Sequence, residues 1–179
     1  MPNSVKTRER RAEQILAQAA ADVRYEIEML VYSSAILGLE YGSPATTPTN
    51  EHWNMALESF LVHFRNLRAF LCPSLQPTYD DDVIASDFLG DPQARDIGDV
   101  ARLAVDRQRL NRMLAHLSYS RDKYIRSGES IWRIAELTAI VLDEFEKFLG
   151  QLPDERILWF PSREALRKHR SGSPSQRLA

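Results

Sequence analysis

The sequence predicts an all-α protein, a four-helix-bundle-like domain with short extra helices, and three observations support this. Apolar residues recur at three- and four-residue steps along four long stretches, as on one face of a helix. No stretch alternates apolar and polar residues with the two-residue period of a strand, and there is no internal repeat. Prolines and glycines separate the stretches at 42–44, 73–77 and 150–153. Long amphipathic helices bury their apolar faces against one another, so a bundle is expected.

The bulk composition is that of an ordinary globular protein. The chain has 179 residues, 44% hydrophobic and 27% charged, which is enough for a single core-bearing domain over 1–170. Its net charge of -2 gives no general attraction to nucleic acid or membrane. No apolar run could span a bilayer and no signal-peptide pattern opens the chain, so a cytoplasmic setting is expected. The single cysteine, Cys72, excludes an internal disulfide and a Cys-rich zinc site.

The first two predicted helices span 5–41 and 51–72, with Asn50 as the cap of the second. The apolar face of the first comprises Ala12, Ile15, Ala19, Val23, Ile27, Leu30, Ser34, Leu37 and Tyr41. That of the second comprises Trp53, Leu57, Phe60, Phe64, Leu67 and Leu71. The heptad-like spacing of this second set predicts a packed seam between helices.

The second half of the chain begins with an acidic connection. Seven of the residues from 80 to 99 are aspartates, and one helical turn is predicted at 83–89. The third and fourth long helices are predicted at 95–121 and 129–149. The fourth has the clearest apolar face: Ile131, Ile134, Ala135, Thr138, Val141, Leu142, Phe145, Phe148 and Leu149. Ser162 can cap a short last helix through Lys168, and the Ser/Gly/Pro/Gln-rich tail at 171–179 is expected to be disordered.

The best candidate site lies on the third helix, in the stretch RQRLNRMLAHLSYSR at 107–121. At 3.6 residues per turn, one side carries Arg109, Arg112, His116 and Tyr119. The opposite side carries leucines, namely Leu103, Leu110, Leu114 and Leu117. Between them runs a strip of small and amide side chains that includes Asn111. The pattern predicts a helix anchored by leucines that presents two guanidiniums, an imidazole and a phenol together.

Two stretches, LNRMLAHLSYSR and the earlier ESFLVHFRNLRAFL, resemble the HEPN superfamily (higher eukaryotes and prokaryotes nucleotide-binding domains). The resemblance covers about residues 5–150. It implies a bundle of four or five helices of the kind found in toxin–antitoxin, CRISPR and other RNA-targeting systems. Active members are metal-independent ribonucleases with an R-x(4–6)-H motif, and dimers commonly bring two motifs together. The motif is altered here: Asn111 stands five residues before His116 and Arg112 follows it, while Arg109 fits the loosest spacing.

Metal-free RNA cleavage requires few side chains, and His116 with Arg112 or Arg109 supplies the required types. In this reaction a 2′-hydroxyl attacks the adjacent phosphorus, a histidine moves the proton, and a guanidinium holds the phosphate. The alternative is that His116 bonds to a neighbouring helix and the arginines form a solvated face. Both interpretations remain open from the sequence.

A second candidate lies on the second helix, where His63, Asn66 and Ser59 flank the apolar seam. We expect a half-buried, hydrogen-bonded strip that fixes helix register. The functional alternative is that His63 and His116 face one groove. No His/Glu pair has a recognised metal-ligand spacing, so neither a metal nor a cofactor is expected.

The sequence thus favours a cytoplasmic, HEPN-like helical protein that binds RNA or a nucleotide through the Arg109, Arg112, His116 and Tyr119 face. Metal-independent ribonuclease activity, of a defence or toxin–antitoxin type, is the enzymatic form of this hypothesis. The rival hypothesis is a non-enzymatic interaction module that pairs with itself or with a partner protein. It rests on surplus aromatic and leucine positions, with Trp159 and Phe160 close to the tail. A homodimer is expected under either hypothesis.

Overall fold

A computed structural model describes residues 9–40, 50–75, 79–90, 95–104, 110 and 132–171, and all regular structure among them is helical. The elements are α1 (Glu13–Glu40), α2 (Asn50–Leu71), α3 (Ala85–Phe88), α4 (Val100–Leu103), α5 (Ile134–Leu149), α6 (Asp154–Ile157) and α7 (Arg163–Ser171), with a 3-10 turn at Pro73–Leu75. The all-α prediction is confirmed. Within these residues, no helix is both long enough and apolar enough to cross a membrane.

The core is built by α1, α2 and α5, which pack against one another. On α2 the predicted seam is confirmed at Phe60, Phe64, Leu67 and Leu71, which are buried, while Trp53 and Leu57 are half-buried. Apolar residues spaced three or four positions apart lie on one face of a helix and are buried together when two helices pack, which explains why these α2 side chains are buried.

A cluster of phenylalanines closes one end of the core. Its rings come from four different parts of the chain: Phe70 on α2, Phe88 on α3, Phe145 and Phe148 on α5, and Phe160 after α6. Neighbouring ring centroids lie 5.2–6.3 Å apart, and most pairs meet edge to face. This geometry favours aromatic pairing beyond simple burial. The short helix α3 and the segment that follows α6 are therefore held to the long helices by aromatic contacts.

The start of the first helix differs from the prediction. Residues 9–12 are described and are not helical, so α1 begins at Glu13 rather than near residue 5. The predicted face is also wrong in the first turns: Ile15 is 54% exposed, and Leu16 is buried in its place. Val23, Ile27, Leu30 and Leu37 are buried as predicted, Ser34 is half-buried, and Tyr41 lies outside the described residues. Just before α1, Arg11 donates a hydrogen bond to the backbone oxygen of Asp80 in the acidic connection.

The third long helix does not begin at 95. Residues 95–99 are extended or bent, and α4 starts at Val100 with Asp99 as its cap, because the Asp99 carboxylate accepts from the backbone N–H groups of Ala101 and Arg102. The first helical turn ends at Leu103, since Ala104 leaves helical geometry. Leu110 is helical, whereas the rest of the predicted span, 105–109 and 111–121, lies outside the described residues.

The other boundaries need smaller corrections. The fourth predicted helix starts at Ile134 rather than 129, because Trp132 and Arg133 are not helical. Within it, Val141, Leu142, Phe145, Phe148 and Leu149 are buried as predicted, but Ala135 is exposed and Ile131 is not described. Ser162 caps α7 as predicted, with its hydroxyl 3.1 Å from the backbone nitrogen of Ala165. That helix runs three residues past Lys168 and includes Ser171.

Candidate functional site

For the predicted basic face on the third helix, the structure describes two of the leucines on the opposite side of that helix. Arg109, Asn111, Arg112, His116 and Tyr119 lie outside the described residues. The leucines expected to anchor them are described at two positions, and both Leu103 and Leu110 are fully buried. Their burial agrees with the prediction that the leucine side of this stretch packs inward.

The second candidate is a polar cluster between α1 and α2, made of Glu26, His63 and Asn66. The Glu26 Oε2 oxygen lies 2.7 Å from His63 Nδ1 and 3.1 Å from the Asn66 side-chain nitrogen, which donates to it. One carboxylate oxygen therefore joins two side chains of the neighbouring helix. The prediction of a half-buried strip holds at Ser59 and is wrong at the other two positions, since His63 is 7% exposed and Asn66 is exposed. The cluster thus runs from the helix interface to the surface.

An exposed aromatic ring adjoins this cluster. Tyr25, on α1, meets the His63 ring edge to face, with ring centroids 5.6 Å apart and an interplanar angle of 80°. Tyr25 is nevertheless 55% exposed. The imidazole is fixed on one side by a carboxylate and on another by an aromatic ring, so its orientation is set before any ligand arrives.

The chemistry of the polar cluster follows from which atoms are engaged. With Nδ1 bonded to Glu26, Nε2 is the remaining polar atom of the buried His63 ring. Because the Asn66 nitrogen donates to Glu26, the amide oxygen Oδ1 is the atom left to accept from a ligand. The Glu26 side chain is partly exposed, so its carboxylate can be reached from solvent.

A buried carboxylate, Glu144 on α5, organises a second polar region. Glu144 is 0% exposed and accepts from the backbone nitrogen of Asp99 at 3.0 Å. It also pairs with Arg102 at 2.5 Å and with Lys147 at 2.8 Å. Arg102 also donates a hydrogen bond to Asp143. The hydrogen bond to Asp143, and after it the one to Glu144, raises the pKa of the Arg102 guanidinium. Glu144 therefore ties α4, and the chain that enters it, to α5.

The end of α2 is closed by the same stretch of chain. The backbone N–H groups of Ile97 and Gly98 both donate to the Leu71 carbonyl, at 2.8 and 3.1 Å. The Cys72 thiol donates to the Gly98 oxygen at 3.2 Å. Burial, followed by the negative charge of Asp96, raises the pKa of Cys72 to about 12. A thiol kept neutral in this way is a structural group rather than a nucleophile.

Asp82, Asp96 and Asp99 of the acidic connection serve local structure. Asp82 accepts from the backbone nitrogen of Tyr79 at 2.7 Å, and Asp96 accepts from that of Ser74 at 3.0 Å. Within the described part of the chain, no group of three His, Cys, Asp or Glu residues is placed to hold a metal ion. These carboxylates therefore act as turn and helix caps, which is a role their spacing in the sequence did not indicate.

An apolar groove lies between α1 on one side and Pro161 and the start of α7 on the other. Its cavity measures about 450 Å³. The lining is mostly apolar: Ile27, Met29, Val31, Ala35, Pro161, Ala165 and Leu166, with Tyr32 and Glu28. Tyr32 is 62% exposed. A groove of this size could take an apolar side chain or a short apolar segment.

Comparison of the chain with protein-family models, with curated proteins and with solved structures found no match. The HEPN resemblance therefore stays a prediction made from the two sequence stretches that suggested it. Any function must be argued from the residues themselves.

Proposed function

We propose that this protein binds single-stranded RNA or a nucleotide. We assign binding to two sets of residues, the polar cluster of Glu26, His63 and Asn66 and the predicted basic residues Arg109 and Arg112. The observation that carries the proposal is the bonding of Glu26 to both His63 and Asn66, because it holds a buried imidazole and an exposed amide in fixed positions. Pre-oriented polar groups of this kind lose little freedom when a ligand binds.

The basic residues supply what the polar cluster lacks. A carboxylate repels phosphate, so the affinity for an RNA backbone must come from cations, and Arg109 and Arg112 are the candidates. The burial of Leu103 and Leu110 supports this, since it fits a stretch whose leucine side packs inward. The enzymatic form of the proposal is metal-independent cleavage, in which His116 takes the proton of the 2′-hydroxyl as that oxygen attacks the adjacent phosphorus. The bond from phosphorus to the 5′-oxygen breaks, a 2′,3′-cyclic phosphate forms, and the 5′-oxygen leaves with a proton returned by His116 or taken from water.

The experiment is a titration of labelled single-stranded RNA at several salt concentrations. Affinity should fall as salt rises, because phosphate contacts release counterions. Arg112→Ala should weaken binding to all sequences alike, by roughly 1–3 kcal/mol. His116→Ala should leave binding nearly intact and abolish any cleavage, and cleavage by the wild type should survive a chelator.

The matched control is Arg133→Ala, since Arg133 is an exposed arginine paired with Glu136 on α5. It should bind RNA like the wild type, and each variant's melting curve should be measured first. If the wild type shows no salt-sensitive RNA binding, the proposal fails, and the polar cluster is then a structural bond between α1 and α2.

The apolar groove favours a second candidate function, a non-enzymatic interaction module in which a second copy of this chain fills the groove. Two arginines that could have served an RNA surface are instead buried in the scaffold, which also favours it. Arg68 donates to the Leu75 carbonyl, and Arg156 bonds to the Phe88 carbonyl and to Glu13.

Sedimentation across micromolar concentrations tests this second candidate. The wild type should dimerise, and Tyr32→Asp should shift it to monomer, because a charge would then have to be buried against apolar lining. Met55→Asp is the control, since Met55 is similarly exposed but lies on α2 away from the groove. A wild type that stays monomeric would exclude the interaction-module candidate in its homodimeric form.

A further inference from the structure

We infer that the polar cluster and Tyr25 form a base-reading subsite that prefers guanine in single-stranded RNA, an inference that rests on the proposed function. Its first support is the sign of the charge. Glu26 is a carboxylate beside solvent, and a carboxylate is repelled by phosphate oxygens. The part of an RNA that meets this cluster must therefore offer hydrogen-bond donors, which are the N–H groups of base edges and the ribose 2′-hydroxyl.

The second support is the set of acceptor atoms. Glu26 Oε2 is occupied by His63 and Asn66, so Oε1 is the carboxylate oxygen available to a ligand. Asn66 Oδ1 is the amide acceptor beside it, since the amide nitrogen donates to Glu26. Guanine offers two donor groups on one edge, N1–H and the N2 amino group, whereas uracil offers one N–H. Two neighbouring acceptors therefore favour guanine over uracil.

The third support is the aromatic ring next to these atoms. Tyr25 is more than half exposed, and its ring meets the His63 ring edge to face beside the polar cluster. An exposed ring in this position is a stacking platform for a base. Tyr32 lies two helical turns further along α1 and is similarly exposed, but it borders the apolar groove instead of the polar cluster. The two tyrosines thus form a matched pair for a test.

The test compares a short oligouridylate with the same oligonucleotide carrying central guanosines, by fluorescence anisotropy. The wild type should bind the guanosine-containing strand more tightly. Tyr25→Ala should weaken that binding by about tenfold, the size expected for one lost base stack. Tyr25→Phe keeps the ring and should retain the affinity, and Tyr32→Ala should change neither strand's affinity.

Glu26→Gln separates base reading from general attraction. It should remove the preference for guanosine, while the affinity for oligouridylate should stay the same or rise, because a negative charge near the backbone is lost. Equal, salt-sensitive binding of both strands by the wild type, unaffected by Tyr25→Ala, would overturn this inference and leave the proposed function standing. No salt-sensitive binding of either strand would overturn both.

Discussion

Removal of the Glu144 carboxylate should lower the free energy of unfolding much more than removal of an exposed carboxylate from a helix surface would. Three groups bond to it: the backbone nitrogen of Asp99, the Arg102 guanidinium and the Lys147 ammonium. The side chains of Arg102 and Lys147 are partly exposed, so both cations can be hydrated when Glu144 is removed, and Arg102 keeps its bond to Asp143. We therefore assign each lost ion pair the small contribution of a pair near the surface. The Asp99 N–H loses an acceptor, and the buried methylenes of Glu144 lose their packing.

From these contributions we expect Glu144→Ala to lower the free energy of unfolding by about 3 kcal/mol. At about 2–4 °C per kcal/mol for a chain of this size, the melting temperature should fall by about 6–12 °C. Glu144→Gln keeps the volume and an acceptor for Asp99, so it should lose about half as much.

Urea unfolding followed by circular dichroism measures these changes, and an unchanged slope would show that the unfolded state is not altered. Glu136→Gln is the control, since Glu136 is an exposed carboxylate on the same helix paired with Arg133. It should shift stability by less than about 0.5 kcal/mol. If Glu144→Ala were as stable as this control, Glu144 would not be the buried tie described above.

Three further changes test other parts of the core. Phe64→Ala should cost about 3–5 kcal/mol in urea unfolding, because it empties the centre of the α2 seam; an unchanged curve would place that ring elsewhere. Gly98→Ala should cost about 1–3 kcal/mol, since a Cβ there would lie 2.9 Å from Leu103 Cδ1 and 3.1 Å from Cys72 Sγ; wild-type stability would refute this close approach. Cys72 should react with a thiol reagent after denaturation but not in the native state at pH 8. Because the pKa of Cys72 is raised in the folded protein, the contribution of the thiol to stability is complete below its unfolded pKa and declines as the pH rises from about 9 toward 12. In urea unfolding, Cys72→Ala should not show this loss of stability.

The sequence predicted the long helices well where the apolar face is continuous, as on α2 and α5. It failed at ends that tertiary contacts determine. Residues 95–99 carry helix-compatible side chains, but Gly98 has to approach the end of α2 closely, and Asp99 is more useful as a cap than inside a turn. Helix periodicity does not show where this helix begins, because the Leu71 carbonyl that accepts from the backbone N–H groups of Ile97 and Gly98 is distant in sequence.

Within the candidate site, the sequence identified His63 and Asn66 but missed the carboxylate that joins them. A signal was present: Glu26 lies three residues after Val23 and four before Leu30, which places it along the apolar face. Glu144 occupies the equivalent position on α5. A charged residue at such a position must find a partner, and the sequence shows this need without showing which side chain meets it.

The pairing of Arg156 with Glu13 has a consequence for folding kinetics. These residues are 143 positions apart, yet the guanidinium on α6 bonds to the first residue of α1 and, at 2.6 Å, to the carbonyl of Phe88. Contacts that close so long a loop are formed after local helices and their nearest packing partners. The Arg156 contacts would then be missing from the folding transition state, and Arg156→Lys would accelerate unfolding while leaving the refolding rate unchanged.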